Sequence, residues 1–227
     1  MPGPTTRRGT AVLAALAAYV LLAGTADLIN PGWSPVETMV SHYVHAPAGW
    51  LIPAALFSLG TAAALLRKPL TASGSSRAGR RLLAAFTAAV LTGALFPADP
   101  PGRWDQPPTV SGIVHGTAAL IAFSALPAAA IVLTRTWRRD RRWQPVARPL
   151  TVTAALCTVT CAALAVLFAD VTDGPSLTAG PWESLVGLAE RLALWSYVAW
   201  LAVAAWGLRR LTARPAAAGR RDERVTR

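Results

Sequence analysis

Residues 135–170 read RTWRRDRRWQPVARPLTVTAALCTVTCAALAVLFAD: six arginines lie between 135 and 148, and the twenty residues 150–169 then carry no charge. A helix rises about 1.5 Å per residue, so a run of that length crosses the roughly 30 Å of a bilayer's hydrocarbon. The same pairing of basic cluster and apolar run recurs in both directions. Twenty of the 22 Lys and Arg residues fall into four clusters: Arg7–Arg8 holds two, Arg67–Arg81 five, Arg135–Arg148 six and Arg209–Arg227 seven. Two apolar stretches separate each cluster from the next. The other connections hold only Arg103, and Arg191 lies inside the last stretch. This is the positive-inside pattern of a multi-pass protein of the cell membrane with both termini in the cytoplasm.

The six stretches run approximately Thr10–Ile29, Gly49–Leu66, Leu82–Pro97, Gly112–Thr134, Leu150–Ala169 and Leu185–Leu208. They predict an all-α fold, a polytopic six-transmembrane-helix bundle. One domain is expected over residues 1–211, with a disordered basic cytoplasmic tail over 212–227. Closed β-barrels are the other way to span a bilayer, but runs such as Ala11–Ala18 and Ala118–Phe123 lack the alternation a barrel needs. Ala, Gly, Ser and Thr stud every stretch, which suits close helix–helix approach in lipid. The net charge of +11 is accounted for by the loop clusters. Nucleic-acid binding would gather basic residues on one face of a folded domain.

Arg7–Arg8 and the small residues Ala23–Ala26 imitate a secretory signal. Five further stretches make the first an uncleaved span. Cys157 and Cys161 lie one helical turn apart; a pair supplies too few ligands for a structural metal site, so both read as small buried hydrophobes.

With sidedness fixed, eight of the 11 acids lie on the outer half: Asp27, Glu37, Asp99, Asp105, Asp170, Asp173, Glu183 and Glu190. All three histidines, His42, His45 and His115, join them. Asp27, Asp99 and Asp170 each end a helix that exits outward, where the helix dipole disfavours an anion by about 0.3–1 kcal/mol. Three such ends predict a shared polar region, completed by His115, Glu190 and Arg191. Adjacent helical residues do not face each other, so Glu190 is expected to meet His115 or an outer Asp, and Arg191 to meet Asp99 or Asp27.

In the first outer connection, Ser34-Pro35-Val36-Glu37 matches a capping box with Pro at the first helical position. A short interfacial helix over Pro35–Val44 would put Val36, Met39, Val40 and Tyr43 on one face and roof the outer mouth. Of the nine tryptophans, Trp33, Trp50, Trp104 and Trp182 read as an outer aromatic belt and Trp137, Trp143 and Trp206 as an inner one. Trp195 and Trp200 either line a cavity or pack.

Val40-Ser41-His42-Tyr43-Val44-His45 with Gly49-Trp50, then Phe96-Pro97-Ala98-Asp99-Pro100, His115-Gly116, and Gly187-Leu-Ala-Glu190-Arg191-Leu192 occur in that order. The set resembles the bacterial integral membrane family catalogued as domain of unknown function 998, and the resemblance covers nearly the whole chain. That family commonly carries an acidic residue where His42 stands, and it brings no assigned reaction.

Walker A, Rossmann, nucleophile-elbow and His-Glu-x-x-His signatures are absent. The remaining chemistry predicts a lipid or isoprenoid-like amphiphile held at the outer mouth, with Ser41, Tyr43, Asp99, His115 and Arg191 as ligand-binding residues. The alternative is an integral membrane enzyme. In one form Asp27 or Glu190 is the general acid of an isoprenoid cyclase. In the other, Asp27, Asp99 and His115 hold a hydrolytic metal. The partners expected are the bilayer and that ligand, with no nucleic acid. No motif specifies a cofactor or an oligomeric state.

Overall fold

A computed structural model of the protein describes residues 4–70, 75–102, 106–174 and 176–211. Arg103, Trp104, Asp105 and the 212–227 tail, with its expected disorder and its acids Asp222 and Glu223, lie outside the described residues. Six helices carry the fold: α1 Pro4–Ile29, α2 Leu51–Leu70, α3 Arg77–Leu95, α4 Val110–Trp137, α5 Gln144–Asp173 and α6 Val186–Leu211. Each is long and apolar enough to cross a membrane, and the described residues form no β-strand. At the arginine-rich end every helix overruns its apolar stretch, because the backbone keeps its hydrogen bonds until a cap replaces them. At the other end α2, α3 and α6 stop short by a residue or two. Ser76 Oγ accepts from Gly79 N–H at 3.4 Å ahead of α3, and Thr109 Oγ1 accepts from Gly112 N–H at 3.0 Å ahead of α4.

Consecutive helices pack side by side, and α6 returns against α1, α2, α4 and α5. It is accordingly the most enclosed span, whereas α1 and α5 are the least. Leu21, Leu28, Leu120, Val159 and Val166 point outward from the bundle, as lipid-facing residues must.

Pro127 sits inside α4. It has no N–H, so the carbonyl four residues earlier, that of Phe123, loses its partner within the helix. Two neighbours satisfy it: Tyr197 Oη of α6 donates at 2.7 Å and Cys161 Sγ of α5 at 3.1 Å. The proline thus ties three helices at mid-span. Thr160 Oγ1 and Ser196 Oγ, 3.1 Å apart, add a polar contact between α5 and α6.

Two sequence expectations change here. Trp137 and Trp143 are buried rather than belt residues; their rings stack at 4.2 Å, and Trp200 stacks on Trp137 at 5.8 Å. Trp137 Nε1 donates to Ser75 Oγ and Trp200 Nε1 to Thr134 Oγ1, so the stack is a polar-edged core at the arginine-rich end. Trp200 therefore packs, and Trp195 faces outward. The expected α-helix over Pro35–Val44 is instead a turn followed by a six-residue 3-10 helix, Val40–His45, here called η1. Ser34 does cap, accepting from Glu37 N–H at 3.4 Å. The Glu37 carboxylate does not reach back to close the box; it accepts from Glu183 N–H at 2.9 Å. Tertiary partners outbid the local helix, and Met39, Val40 and Tyr43 are buried all the same.

Candidate functional site

The segment 36–45 lies across the first turns of α6, at the arginine-poor end of the bundle, and is fastened there at successive points. Leu188 N–H donates to the Val36 carbonyl at 2.8 Å. Gly187 permits the approach: a Cβ there would stand 2.5 Å from the Thr38 carbonyl oxygen. Glu190, itself buried, accepts from the backbone N–H of Val40, with the Ser41 amide beside it. Gly187, Glu190 and Arg191 share one helical face at spacings of three and four, which is why one motif can serve one strap.

Arg191 is the fastening's charged part. Its Nη2 meets Asp27 Oδ1 at 2.5 Å, its Nε meets Asp27 Oδ2 at 3.2 Å, and its Nη1 donates to the Thr38 carbonyl at 2.7 Å. The guanidinium carbon lies 5.2 Å from the centre of the Tyr43 ring, a cation–π contact. Burial raises the Tyr43 phenol above its usual range, so its hydroxyl stays a donor and reaches the Trp33 carbonyl at 3.0 Å. The expected Arg191–Asp27 pairing is present. Glu190, in contrast, meets backbone amides rather than His115 or an aspartate.

The three helix-end aspartates have separate partners. Asp27 pairs with Arg191. Asp99 accepts from Thr109 Oγ1 at 2.6 Å and Thr109 N–H at 3.0 Å, bracing the start of α4 against Gly112. Asp170 accepts from Ser176 Oγ at 2.5 Å and from the Leu177 amide at 3.1 Å. Among the described residues no hydrogen bond joins one of these aspartates to another. Nor do Asp27, Asp99 and His115 make a metal centre: among the described residues no three His, Cys, Asp or Glu side chains are grouped to hold an ion.

What the fold does bring together is Ser41, His115 and Glu190, around a crevice. An inner chamber of about 60 Å³ is walled by Leu59, Phe86, Val90, Phe123, Leu194 and Tyr197, with Glu190 on its edge. An outer chamber of about 140 Å³ lies between η1, α2 and the end of α3. Ser41, Ile52, Leu56, Gly93 and His115 line both, so the two adjoin. His115 Nδ1 lies 2.8 Å from the Phe96 carbonyl and 3.2 Å from that of Gly93. Carbonyls only accept, so Nδ1 carries the proton. Tyr43, Asp99 and Arg191 line neither chamber and belong to the framework.

Two further histidines flank the crevice. His45 Nε2 lies 2.7 Å from the Ala98 carbonyl, joining η1 to the α3–α4 connection. His42 is held neutral: burial, then the neighbouring imidazoles of His115 and His45, push it down to about 4.

A family model described as a protein of unknown function, DUF998, matches residues 12–207. The chain belongs to the DUF998 family. No curated protein and no solved structure matches it. Asp27, η1, Asp99, His115 and the Gly187–Arg191 face all lie inside the DUF998 match. Thr38, Gly93 and Phe123 act through backbone carbonyls, which no side-chain pattern marks. Pro127, four residues beyond Phe123, was the one readable signal.

Proposed function

We propose that this DUF998 protein binds a lipid or isoprenoid-like amphiphile in the crevice at its arginine-poor end. The observation that carries the reading is the pairing of an apolar inner chamber with Ser41, His115 and Glu190 at its edge. Binding sites take that form, an apolar hollow with a few convergent polar groups. The framework supports it: Asp27–Arg191 and Glu190 hold η1 as a roof over the hollow. On the distribution of arginines, that end faces away from the cytoplasm of a cell membrane.

Mass spectrometry of co-purifying lipid tests this. One lipid class should be enriched over the surrounding bilayer, and Ala122→Phe, which fills the inner chamber, should abolish the enrichment. A lipid profile equal to the bulk, unchanged by Ala122→Phe, refutes it. The cyclase alternative draws on Glu190, Phe86, Phe123 and Tyr197 sharing one chamber. The engagement of the Glu190 carboxylate by η1 amides favours binding over catalysis. Release of a cyclised product from a linear prenyl alcohol by the purified protein would reverse that preference.

A further inference from the structure

α2 and α3 are not equally close along their length. Near mid-span they meet at Gly60, where a Cβ would stand 2.7 Å from Leu91 Cδ2. Toward the arginine-poor end, Pro53 and Ile52 of α2 face Gly93, Ala94 and Leu95 of α3 across the outer chamber. The rim of that chamber is apolar. Leu95 is 65% exposed, Phe96 is 40% exposed, and Pro97 is exposed beside them. An apolar run at the end of a span, open to the surroundings, is solvated by lipid chains rather than by water.

The crevice is also selective by size and charge. Its chambers, about 60 and 140 Å³, fall below the roughly 300–1,000 Å³ of a pocket for a drug-sized ligand. That volume takes a segment of one chain several carbons long, not two chains side by side. Among the described residues no Lys or Arg lines either chamber, and the acid Glu190 lines the inner one. An anionic head therefore has no counter-charge there. At the junction stands His115, nine-tenths buried, its Nδ1–H fixed by two carbonyls. In the neutral ring Nε2 is then an acceptor, and the Ser41 hydroxyl lines the same junction.

We infer that the crevice is reached sideways from the bilayer, between the outer ends of α2 and α3, by a single-chain lipid with a hydroxyl head. The hydroxyl donates to His115 Nε2 and shares a hydrogen bond with Ser41 Oγ, while the chain occupies the apolar walls. This rests on the binding reading above and adds to it the ligand class and the route.

The experiment uses the full chain in nanodiscs and three diazirine probes: a long-chain alcohol, the matching fatty acid, and a diacyl phosphatidylcholine bearing the same chain. The alcohol should label inner-chamber residues, and the acid and the phospholipid should not. Removing the acceptor with His115→Phe should lower labelling about five- to tenfold, the worth of one buried hydrogen bond. His115→Gln, which keeps an acceptor, should retain most of it. Ser41→Ala reads the same junction should His115→Phe fail to fold. Pro53→Trp and Ala94→Phe, placed in the gap, should slow labelling without changing its final site. Equal chamber labelling by acid or phospholipid, or indifference to both His115→Phe and Ser41→Ala, overturns the hydroxyl assignment. Wild-type labelling rates in both gap variants overturn the route. Those outcomes leave the binding reading standing, whereas no chamber labelling by any probe sinks both.

Discussion

Arg191 has a buried guanidinium whose charge is balanced by one carboxylate, so its energetics are lopsided. Keeping the pair is close to neutral against an apolar alternative; breaking it leaves a cation without its counter-ion. Asp27→Asn should therefore destabilise the protein by about 3 kcal/mol, read as a lowered midpoint in thermal unfolding in detergent. Arg191→Met alone should cost about as much, and the double variant Asp27→Asn with Arg191→Met less than the sum, a coupling that only a direct pair produces. Simple additivity would show that the two side chains act apart. His42 offers a second test, through pH. Its folded-state value of about 4 lies below the ordinary 6.5, so the unfolded chain takes the proton first. The contribution is full above pH 6.5, is lost as pH falls from 6.5 toward 4, and amounts to about 3 kcal/mol. Melting curves across that window should be steeper in pH for the wild type than for His42→Gln. Arg191's partner was legible because an isolated charge in an apolar stretch demands a counter-charge and few were in reach. Glu190's was not, because its partners are amides of a segment 150 residues away, and amides are the same at every position.

At the scale of elements, the spans were legible because hydrocarbon thickness fixes their length and loop charge fixes their sequence of turns. Their ends were less so, since caps such as Ser76 and Thr109 sit among polar residues that look alike. The segment over the outer mouth kept its place but not its expected helix. The local signal for an α-helix over Pro35–Val44 was sound, yet Glu37 was drawn to the Glu183 amide and Thr38 to Arg191, which no local pattern encodes. Trp137 and Trp143 misled because belt and core tryptophans occupy the same stretch of sequence and differ only in which way the helix turns them. Pro127 supports a test of how α4 is tied in. Tyr197→Phe removes the hydroxyl that satisfies the Phe123 carbonyl and should cost about 1 kcal/mol in thermal unfolding. In a Pro127→Ala background the helix supplies its own N–H to that carbonyl, so the same Tyr197→Phe change should cost much less. Equal costs in both backgrounds would mean that the proline does not create the need. Gly187→Ala should be worse than a Gly-to-Ala change elsewhere in α6, because its Cβ meets the Thr38 backbone, which has no room to give.

Taken whole, the molecule is polarised. One end carries the described residues of the arginine clusters and the stacked Trp137, Trp143 and Trp200; the other carries the strap, the three aspartate-braced helix ends and the crevice. This asymmetry makes sidedness the property on which every functional reading depends, because a crevice facing the cytoplasm would draw on a different leaflet. The sidedness proposed above would put residues 67–81, 135–148 and 209–227 on the cytoplasmic side, and the positive-inside bias behind that proposal acts through Lys and Arg close to the span ends. A reporter active only in the cytoplasm should therefore work after Arg227 and between residues 70 and 76, and fail near Asp173. A reporter active only outside should show the reverse at all three positions. The wager can be sharpened by charge. Adding two arginines beside Asp173 should reduce outside activity there, whereas adding two aspartates should leave it unchanged, since acids contribute little to orientation. Cytoplasmic activity near Asp173 in the unaltered chain would put the crevice on the inner side, and a lipid ligand would then have to come from the inner leaflet.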